Sequence, residues 1–352
     1  MRPARETWVN PAASLALCAA AGAVFAWLRL PLPWMIGPLV AMAGCNFAGL
    51  ELRAQPGGRA LGQMIIGSAL GLYFTPAVAR EVVSYWQLLI AAAVIAIVLG
   101  ALGGWILGRA TGTDAKSAFF ASVPGGAAEM TLLGERYGAR VDRIALAQSL
   151  RILAVVIVVP FALTYAGVHG TDAYDPAPVP LEWRLLTALL AIGGAAGGLF
   201  ARFGLPNAFM FGPLAVAIAL TASGVELSSM PAPLTDAAQL LIGCALGSRF
   251  EQRSLRTMPR YVAGVLLSVA VALGVSAALA FALAWWSGVP APSLVLAIAP
   301  GGIAEMCITA KVLQLGVPLV TAAHVTRVFV LITATAPVYR AARASARWFA
   351  RT

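Results

Sequence analysis

Long apolar stretches alternate with short polar clusters along the whole chain of 352 residues. Many of the stretches approach the ~20 residues that a helix needs to cross a bilayer, so the pattern predicts an all-α polytopic membrane protein. Each half of the chain holds six such segments. We place them at roughly 12–28, 33–50, 60–75, 84–108, 115–135, 143–166, 184–201, 206–224, 237–250, 261–286, 293–314 and 318–339.

The composition supports a membrane protein and leaves no room for a large soluble module. Hydrophobic residues make up 60% of the chain and charged residues 11%, against about 45–50% and about 25% in soluble domains. The net charge of +10 could indicate nucleic acid or acidic lipid, but the basic residues lie mostly in short loops, which favours a role in topology. The four cysteines lie inside apolar segments without paired spacing and predict neither disulfides nor a metal site.

An internal repeat divides the chain into two related halves. The stretch IGSALG at 66–71 recurs as IGCALG at 242–247, and PGGAAEM at 124–130 recurs as PGGIAEM at 300–306, both 176 positions later. MIGPL at 35–39 recurs as MFGPL at 210–214. We therefore expect membrane repeats at 12–168 and 184–340. An external linker at 169–183 and a basic cytoplasmic tail at 341–352 complete the predicted organisation. The short MxGPL elements favour close helix packing, with a cavity-lining role for Pro38 and Pro213 as the alternative.

The basic start of the chain, followed by an apolar run, has the pattern of a signal peptide. A second apolar segment begins almost at once, at Pro33. We therefore expect the first segment to be retained as a membrane span.

The fifth segment of each half contains a PGG triplet, which predicts a broken helix because proline removes a helix hydrogen bond and glycine tolerates a bend. If both PGG segments cross the membrane, the loop arginines and lysines divide evenly between its two sides. If both re-enter on the side where they began, most of these residues join the arginine-rich C-terminus in the cytoplasm, as the positive-inside rule requires. The sequence therefore predicts about ten transmembrane helices plus two broken or re-entrant segments.

Five crossings per half is an odd number, so the second repeat is predicted to be inverted relative to the first. Inverted repeats with broken helices are common in secondary transporters. The two PGG segments would then enter from opposite sides and meet near the middle of the membrane. The same parity would result if a PGG segment crossed and a different segment did not.

Polar residues inside apolar segments recur in both halves and are candidates for a functional site, because such groups are costly in a membrane and usually face a cavity or each other. Several of them pair at an offset of 176. The candidates for binding a solute or ion are Pro124, Gly125, Gly126, Glu129, Arg151, Pro300, Gly301, Gly302, Glu305, Arg327, Gln63, Gln239, Gln148 and His324.

Two interpretations apply to the glutamates Glu129 and Glu305. Each stands in the first turn after PGG, where a carboxylate can cap a helix and favour its dipole. Alternatively, the PGG backbone holds a small ion or anion while the glutamate binds a proton or cation. Both interpretations can hold together.

The arginines Arg151 and Arg327 also leave alternatives open. Each could extend its head towards the membrane surface or pair with Glu129 or Glu305. His324 occupies the position equivalent to Gln148 and could be a buried core residue or a proton relay.

Common enzyme motifs are missing from the sequence, so we expect no catalytic activity. His169 and His324 are the only histidines, and neither stands near an acidic or cysteine cluster that could complete a zinc or copper site. No phosphate-binding loop, dinucleotide fingerprint or nucleophile elbow occurs. We therefore expect no cofactor.

The doubled PGGxAEM, followed in each half by a helix that carries an arginine, resembles the AbrB membrane duplication family over residues 12–340. The resemblance implies a bacterial inner-membrane protein, and the positive-inside rule places both termini in the cytoplasm. Members of that family carry two labels, regulator of gene expression and ammonia monooxygenase, and differ from the soluble DNA-binding protein of the same name. The sequence offers no set of metal ligands for a metal-dependent oxidation. It also has no soluble segment long enough to form a DNA-binding module.

The sequence therefore predicts a secondary transporter of a small solute, coupled to a proton or cation. The alternative is a membrane sensor that affects gene expression indirectly, without net transport. The expected partners are the lipid bilayer and the solute, without direct nucleic-acid binding. The solute and the oligomeric state stay open.

Overall fold

The computed structural model describes residues 11–170, 179–250 and 258–345. Within these ranges the regular secondary structure is entirely helical, as the apolar pattern predicts. The helices are α1 (Pro11–Trp27), α2 (Pro33–Phe47), α3 (Gly58–Gly71), α4 (Pro76–Ser84), α5 (Trp86–Thr111), α6 (Ala115–Ser122), α7 (Ala127–Arg136), α8 (Val141–Tyr165), α9 (Trp183–Arg202), α10 (Ala208–Ala222), α11 (Ala232–Gly247), α12 (Pro259–Ser287), α13 (Ala291–Ile298), α14 (Ile303–Leu313) and α15 (Val317–Ser345).

Both segments that contain PGG are broken, as the proline and glycines predict. The first broken segment, residues 115–136, consists of α6 and α7, and the second broken segment, residues 291–313, consists of α13 and α14. The other ten predicted segments each contain one helix, and the structure adds the short helix α4, which the sequence did not predict.

Helix α4 lies at 92° to α3. Its residues Val78 and Val82, four positions apart, are buried, whereas Arg80 and Glu81 are exposed. Such a nine-residue amphipathic helix is too short and too polar to register in a search for apolar segments.

The described helices identify a multi-pass membrane protein. Helices α5, α8, α9, α12 and α15 are long and apolar enough to cross a bilayer, and the bent pair α3 and α4 gives a sixth candidate. The apolar helices α1, α10 and α11 are shorter, with 15–17 residues. Because a crossing needs ~20 residues, helix length alone does not reach the ten predicted crossings.

The structure divides into two compact units. The first unit comprises the described residues of Met1–Arg80, Ile157–Met258 and Lys311–Pro318, and the second comprises those of Glu81–Val156, Pro259–Ala310 and Leu319–Thr352. Each unit contains helices from both predicted repeats. The units therefore do not coincide with the repeats, whose boundaries stay a prediction.

In the first unit, helices pack across the two halves of the sequence. Helix α2 packs against α1 and α11, and α10 packs against α9 and α3. The approach is close at the repeated glycines, because a Cβ at Gly67 would overlap the carbonyl oxygen of Met210 and a Cβ at Gly243 that of Met35. These contacts agree with the packing role predicted for the MxGPL elements.

In the second unit, the long helices α5 and α12 pack together, and the broken segments pack against them through α6 and α13. A buried cluster that includes Leu88, Ala280, Leu294 and Leu319 joins α5, α12, α13 and α15. This cluster therefore fixes the position of the second broken segment against α5, α12 and α15.

Some predicted features lie outside the described residues. These are the N-terminal residues 1–10, residues 171–178 of the linker, the arginines at 253 and 256, and residues 346–352 of the basic tail.

Candidate functional site

The first PGG break is held by an arginine from α8. Helix α6 ends at Ser122, and the chain is extended at Val123 before α7 begins at Ala127. Arg151 donates from Nη1 to the Val123 carbonyl oxygen at 2.9 Å and from Nη2 to that of Gly125 at 3.2 Å. Because Pro124 has no N–H, the break exposes carbonyl groups, and the guanidinium satisfies two of them.

The second break repeats these contacts from α15. Arg327 donates from Nη1 to the Ala299 carbonyl oxygen at 2.7 Å and from Nη2 to that of Gly301 at 2.6 Å. Both arginines are buried, with 4% of Arg151 and 3% of Arg327 exposed. The guanidinium groups therefore stabilise bent backbone in a place where water cannot do so.

A second polar residue supports each break one turn earlier on the same helix. The Gln148 amide Nε2 lies 2.9 Å, 3.2 Å and 3.0 Å from the carbonyl oxygens of Phe120, Ala121 and Val123. The His324 ring nitrogen Nε2 lies 2.9 Å from the Leu296 carbonyl oxygen. Since a carbonyl only accepts, His324 carries a proton on Nε2, and its buried Nδ1 has no hydrogen-bond partner within the described residues.

The ends of the first broken segment lie side by side. The ring of Phe120 in α6 stacks on Tyr137, just beyond α7, with 5.6 Å between the ring centroids. Nearer the ends, the Arg140 amide donates to the Ser117 hydroxyl at 2.7 Å. Helix α7 therefore folds back along α6, and residues 123–126 form the turn between them.

Both glutamates fold back over the glycine that precedes their helix. A Cβ on Gly126 would overlap Oε2 of Glu129, and a Cβ on Gly302 would overlap Oε2 of Glu305. This placement agrees with the capping interpretation, because each carboxylate belongs to the first turn of its helix, α7 or α14, where the helix dipole is positive. Glu129 is half-buried, whereas Glu305 is 6% exposed.

The two PGG breaks share one cavity. Pro124 and Pro300 both line it, together with Ser122, Arg151 and residues of α5 and α12. Its volume of about 20 Å³ suffices for one water molecule. The Ser122 hydroxyl and the Arg151 Nε are buried and have no hydrogen-bond partner within the described residues.

The charges at the breaks influence one another. Arg151 lies within electrostatic range of Arg327 and of Glu305. The sequence left open whether the arginines extend to the membrane surface or pair with glutamate. The structure adds a third arrangement, in which carbonyls of the breaks, which lack helical N–H partners, accept the guanidinium hydrogen bonds.

Gln63 and Gln239 do not join this group, because both belong to the first unit. Gln63 donates to the Asn207 side chain at 3.4 Å, and Gln239 donates to Asp236 at 3.4 Å. Elsewhere, the part of the chain that the structure describes holds no group of three His, Cys, Asp or Glu arranged to bind a metal ion.

Comparison with known proteins identifies the family. A family model described as "Transition state regulatory protein AbrB" matches residues 34–343. The chain belongs to the AbrB family. The matched region of this AbrB-family protein includes both broken segments and the arginines that hold them.

Two relatives match almost their whole length. "Uncharacterized protein YhjN" of Bacillus subtilis (strain 168) is 28% identical over 355 residues, covering 93% of this chain and 91% of the relative. "Putative regulator AbrB" of Escherichia coli (strain K12) is 26% identical over 314 residues, covering 88% and 89%. The likeness to AbrB-family proteins therefore extends over both halves of the chain.

Proposed function

We propose that this AbrB-family protein is a secondary transporter of a small solute in the bacterial inner membrane, with its site where the two broken segments meet. The observation that carries the proposal is the cavity lined jointly by Pro124 and Pro300. Irregular backbone at membrane depth persists where it is buried in protein or lines a cavity, and carriers place their substrates at such breaks.

The proposed topology has ten crossings, two re-entrant segments and both termini in the cytoplasm. Contacts at the ends of the first broken segment support re-entry, since Lys116 donates to the Gly138 carbonyl at 3.4 Å and Arg143 donates to the Thr113 hydroxyl at 3.0 Å. A segment that crossed would separate these residues by the width of the bilayer.

Two contacts in the first unit support the same topology. The turn after α3 and the turn after α10 line one cavity, as Thr75 and Gly224 show. The Gly170 amide donates to the Leu313 carbonyl at 3.0 Å. With twelve crossings, each of these pairs would lie on opposite sides of the membrane; with ten, each pair lies outside.

Labelling of single cysteines tests this topology. In a cysteine-free background, Ser287→Cys should react with a membrane-impermeant maleimide added to whole cells, and Glu135→Cys should react only after the cells are opened. If Glu135→Cys reacts in whole cells, the first broken segment crosses the membrane and the inverted arrangement is wrong.

In the proposed transport mechanism, the charged residues at the breaks bind the coupling ion and the solute. Glu129 and Glu305 would bind the coupling proton or cation at the starts of α7 and α14. Arg151 and Arg327 would balance these charges or hold a carboxylate of the solute while they stabilise the breaks. This role needs no cofactor and no catalytic residue, so we propose that the protein is not an enzyme.

Substitution of the glutamates distinguishes a role in ion coupling from a role in helix capping. Glu129→Gln and Glu305→Gln should each abolish pH-dependent solute uptake in proteoliposomes while the yield of folded protein stays unchanged. Glu135→Gln, on the exposed side of α7, is the matched control and should leave uptake intact. Loss of folded protein in both site variants would mean that the glutamates serve only as caps.

A regulatory function is the second candidate, favoured by the name of the Escherichia coli relative, "Putative regulator AbrB". Under this alternative a solute would bind where the two broken segments meet, and its binding would affect gene expression indirectly. Purified protein in sealed vesicles distinguishes the two. Solute accumulation driven by a pH gradient supports the transporter, whereas binding without flux under any gradient supports the sensor.

A further inference from the structure

A second cavity lies wholly within the first unit, at the ends of α3 and α10. It has a volume of about 470 Å³, within the range of about 300–1,000 Å³ that is typical of small-molecule sites. Its walls come from the turn at 72–76, the loop at 224–230 and the end of α14. None of the residues at the PGG breaks lines it.

We propose that this cavity binds a small ligand that carries one ammonium group and a compact apolar part. The apolar part of the ligand would contact an apolar surface, because Leu72, Leu227 and Met230 line the cavity. The Tyr73 ring lies beside them and can face both an apolar group and a cation.

The preference for a cation follows from the charges around the cavity. Glu226 lines it and is exposed, and its carboxylate has no ion pair or hydrogen bond among the described residues. Leu72, directly after α3, and Thr221, in the last turn of α10, line the cavity, so two helix C-termini lie close to it, and helix C-termini carry a partial negative charge.

Two positive contributions oppose this preference. Lys311 lines the cavity and carries a full positive charge equal to the negative charge of Glu226, and it is also attracted by the Asp236 carboxylate. The N-terminus of α11 at Ala232 contributes a partial positive charge, against two helix C-termini. The full charges of the wall cancel, and two helix C-termini against one N-terminus leave the partial charges negative.

The test measures protection of a single cysteine in the cavity wall. In a cysteine-free background, Ser229→Cys is labelled with N-ethylmaleimide in detergent, with and without phenethylammonium. A bound ligand slows labelling by the factor 1 + [L]/Kd, so ligand at about three times Kd should slow it about fourfold. The uncharged 2-phenylethanol and the anionic phenylacetate should not slow labelling.

Two variants make the result specific. Glu226→Gln in the same background should remove protection by phenethylammonium, and Ser84→Cys, which is exposed and does not line the cavity, should label at an unchanged rate. Equal size-exclusion profiles establish that the variants are folded. Protection by phenylacetate at least as strong as by phenethylammonium, or no protection by either, overturns the proposal.

The ammonium group could belong to a free amine or to a phosphatidylethanolamine headgroup. Nanodiscs distinguish the two sources. Slower labelling of Ser229→Cys in phosphatidylethanolamine than in phosphatidylglycerol, with no further slowing by phenethylammonium, identifies the lipid. Slowing by phenethylammonium in both bilayers identifies a free amine.

Discussion

The two broken segments share the PGG motif and the arginine that holds it, yet their second helices lie in different surroundings. Every residue of α14 from Ile303 to Ala310 is buried, whereas α7 has Ala128, Leu132 and Glu135 exposed. Repetition of the sequence has therefore preserved how each break is stabilised, but not what surrounds it. The buried break should tolerate change poorly, and the half-exposed break should tolerate it better.

The largest difference is expected at the arginines. Arg327→Met leaves two buried carbonyls without donors, at about 1–3 kcal/mol each, so it should lower the free energy of unfolding by roughly 2–6 kcal/mol. Arg151→Met should cost less, because its bonds are longer and Gly125 is only half-buried. Thermal unfolding of the purified variants in detergent measures both.

The melting temperatures of Arg327→Met and Arg151→Met are compared with that of the wild type. Arg136→Met, at the exposed end of α7, is the control for loss of a positive charge alone. Equal stability of Arg327→Met and wild type would show that the arginine does not hold the break. A bound ligand would then be needed to explain why the Arg327 side chain is buried.

The next largest difference in stability between the two breaks is expected at Gly126 and Gly302, the glycines that precede the helices of the two glutamates. A methyl group at either site would overlap the following carboxylate. Glu129 is only half-buried and its side chain has room to move, so Gly126→Ala should cost little. Glu305 is buried, so Gly302→Ala should cost about 1–3 kcal/mol, as overpacking does. Comparable melting temperatures for the two variants would mean that burial does not restrict the Glu305 side chain.

Much of this architecture could be predicted from the sequence, because hydrophobic length and the repeat offset are local features. The positions of the breaks at Pro124 and Pro300 followed from proline and glycine alone. The offset of 176 also identified the equivalent polar residues, and the structure brings six of them to two matching breaks.

Other features depend on three-dimensional context that periodicity does not contain. Arg151 could not be assigned to a carbonyl rather than a carboxylate, because both accept hydrogen bonds and both occur near a break. The burial of Glu305 but not Glu129 depends on which helices surround each segment. Gln63 and Gln239 shared the apolar setting of the site residues, yet they lie in the other unit.

A smaller difference concerns how the broken segments begin. Asp114 caps α6 by accepting the Ser117 amide at 2.9 Å, whereas α13 follows Pro290 and has no side-chain cap. Burial raises the pKa of Asp114, but hydrogen bonds from Ser117 and the charges of Lys116 and Arg143 outweigh this, so the net pKa lies below its usual value. Asp114→Ala should cost about 1 kcal/mol at neutral pH.

The sign of the pH dependence follows from the lowered pKa. Asp114 contributes stability above its unfolded pKa of about 3.9, and this contribution is lost as the pH falls through the lower folded value. The difference in melting temperature between wild type and Asp114→Ala should therefore shrink below about pH 4. A difference that stays constant into acid would show that the cap does not depend on the charge of Asp114.

The smallest effect is expected where the two halves already differ, at Gln148 and His324. His324→Gln retains a donor for the Leu296 carbonyl and should change stability by less than about 1 kcal/mol. Gln148→His should cost more, because a ring with one directed N–H cannot contact the three carbonyls that the amide reaches. If His324→Gln leaves the melting temperature unchanged but alters the pH dependence of solute uptake, the unpartnered Nδ1 is where a proton binds. If uptake is also unchanged, His324 is a structural substitute for glutamine, and the coupling proton must be sought at Glu129 and Glu305.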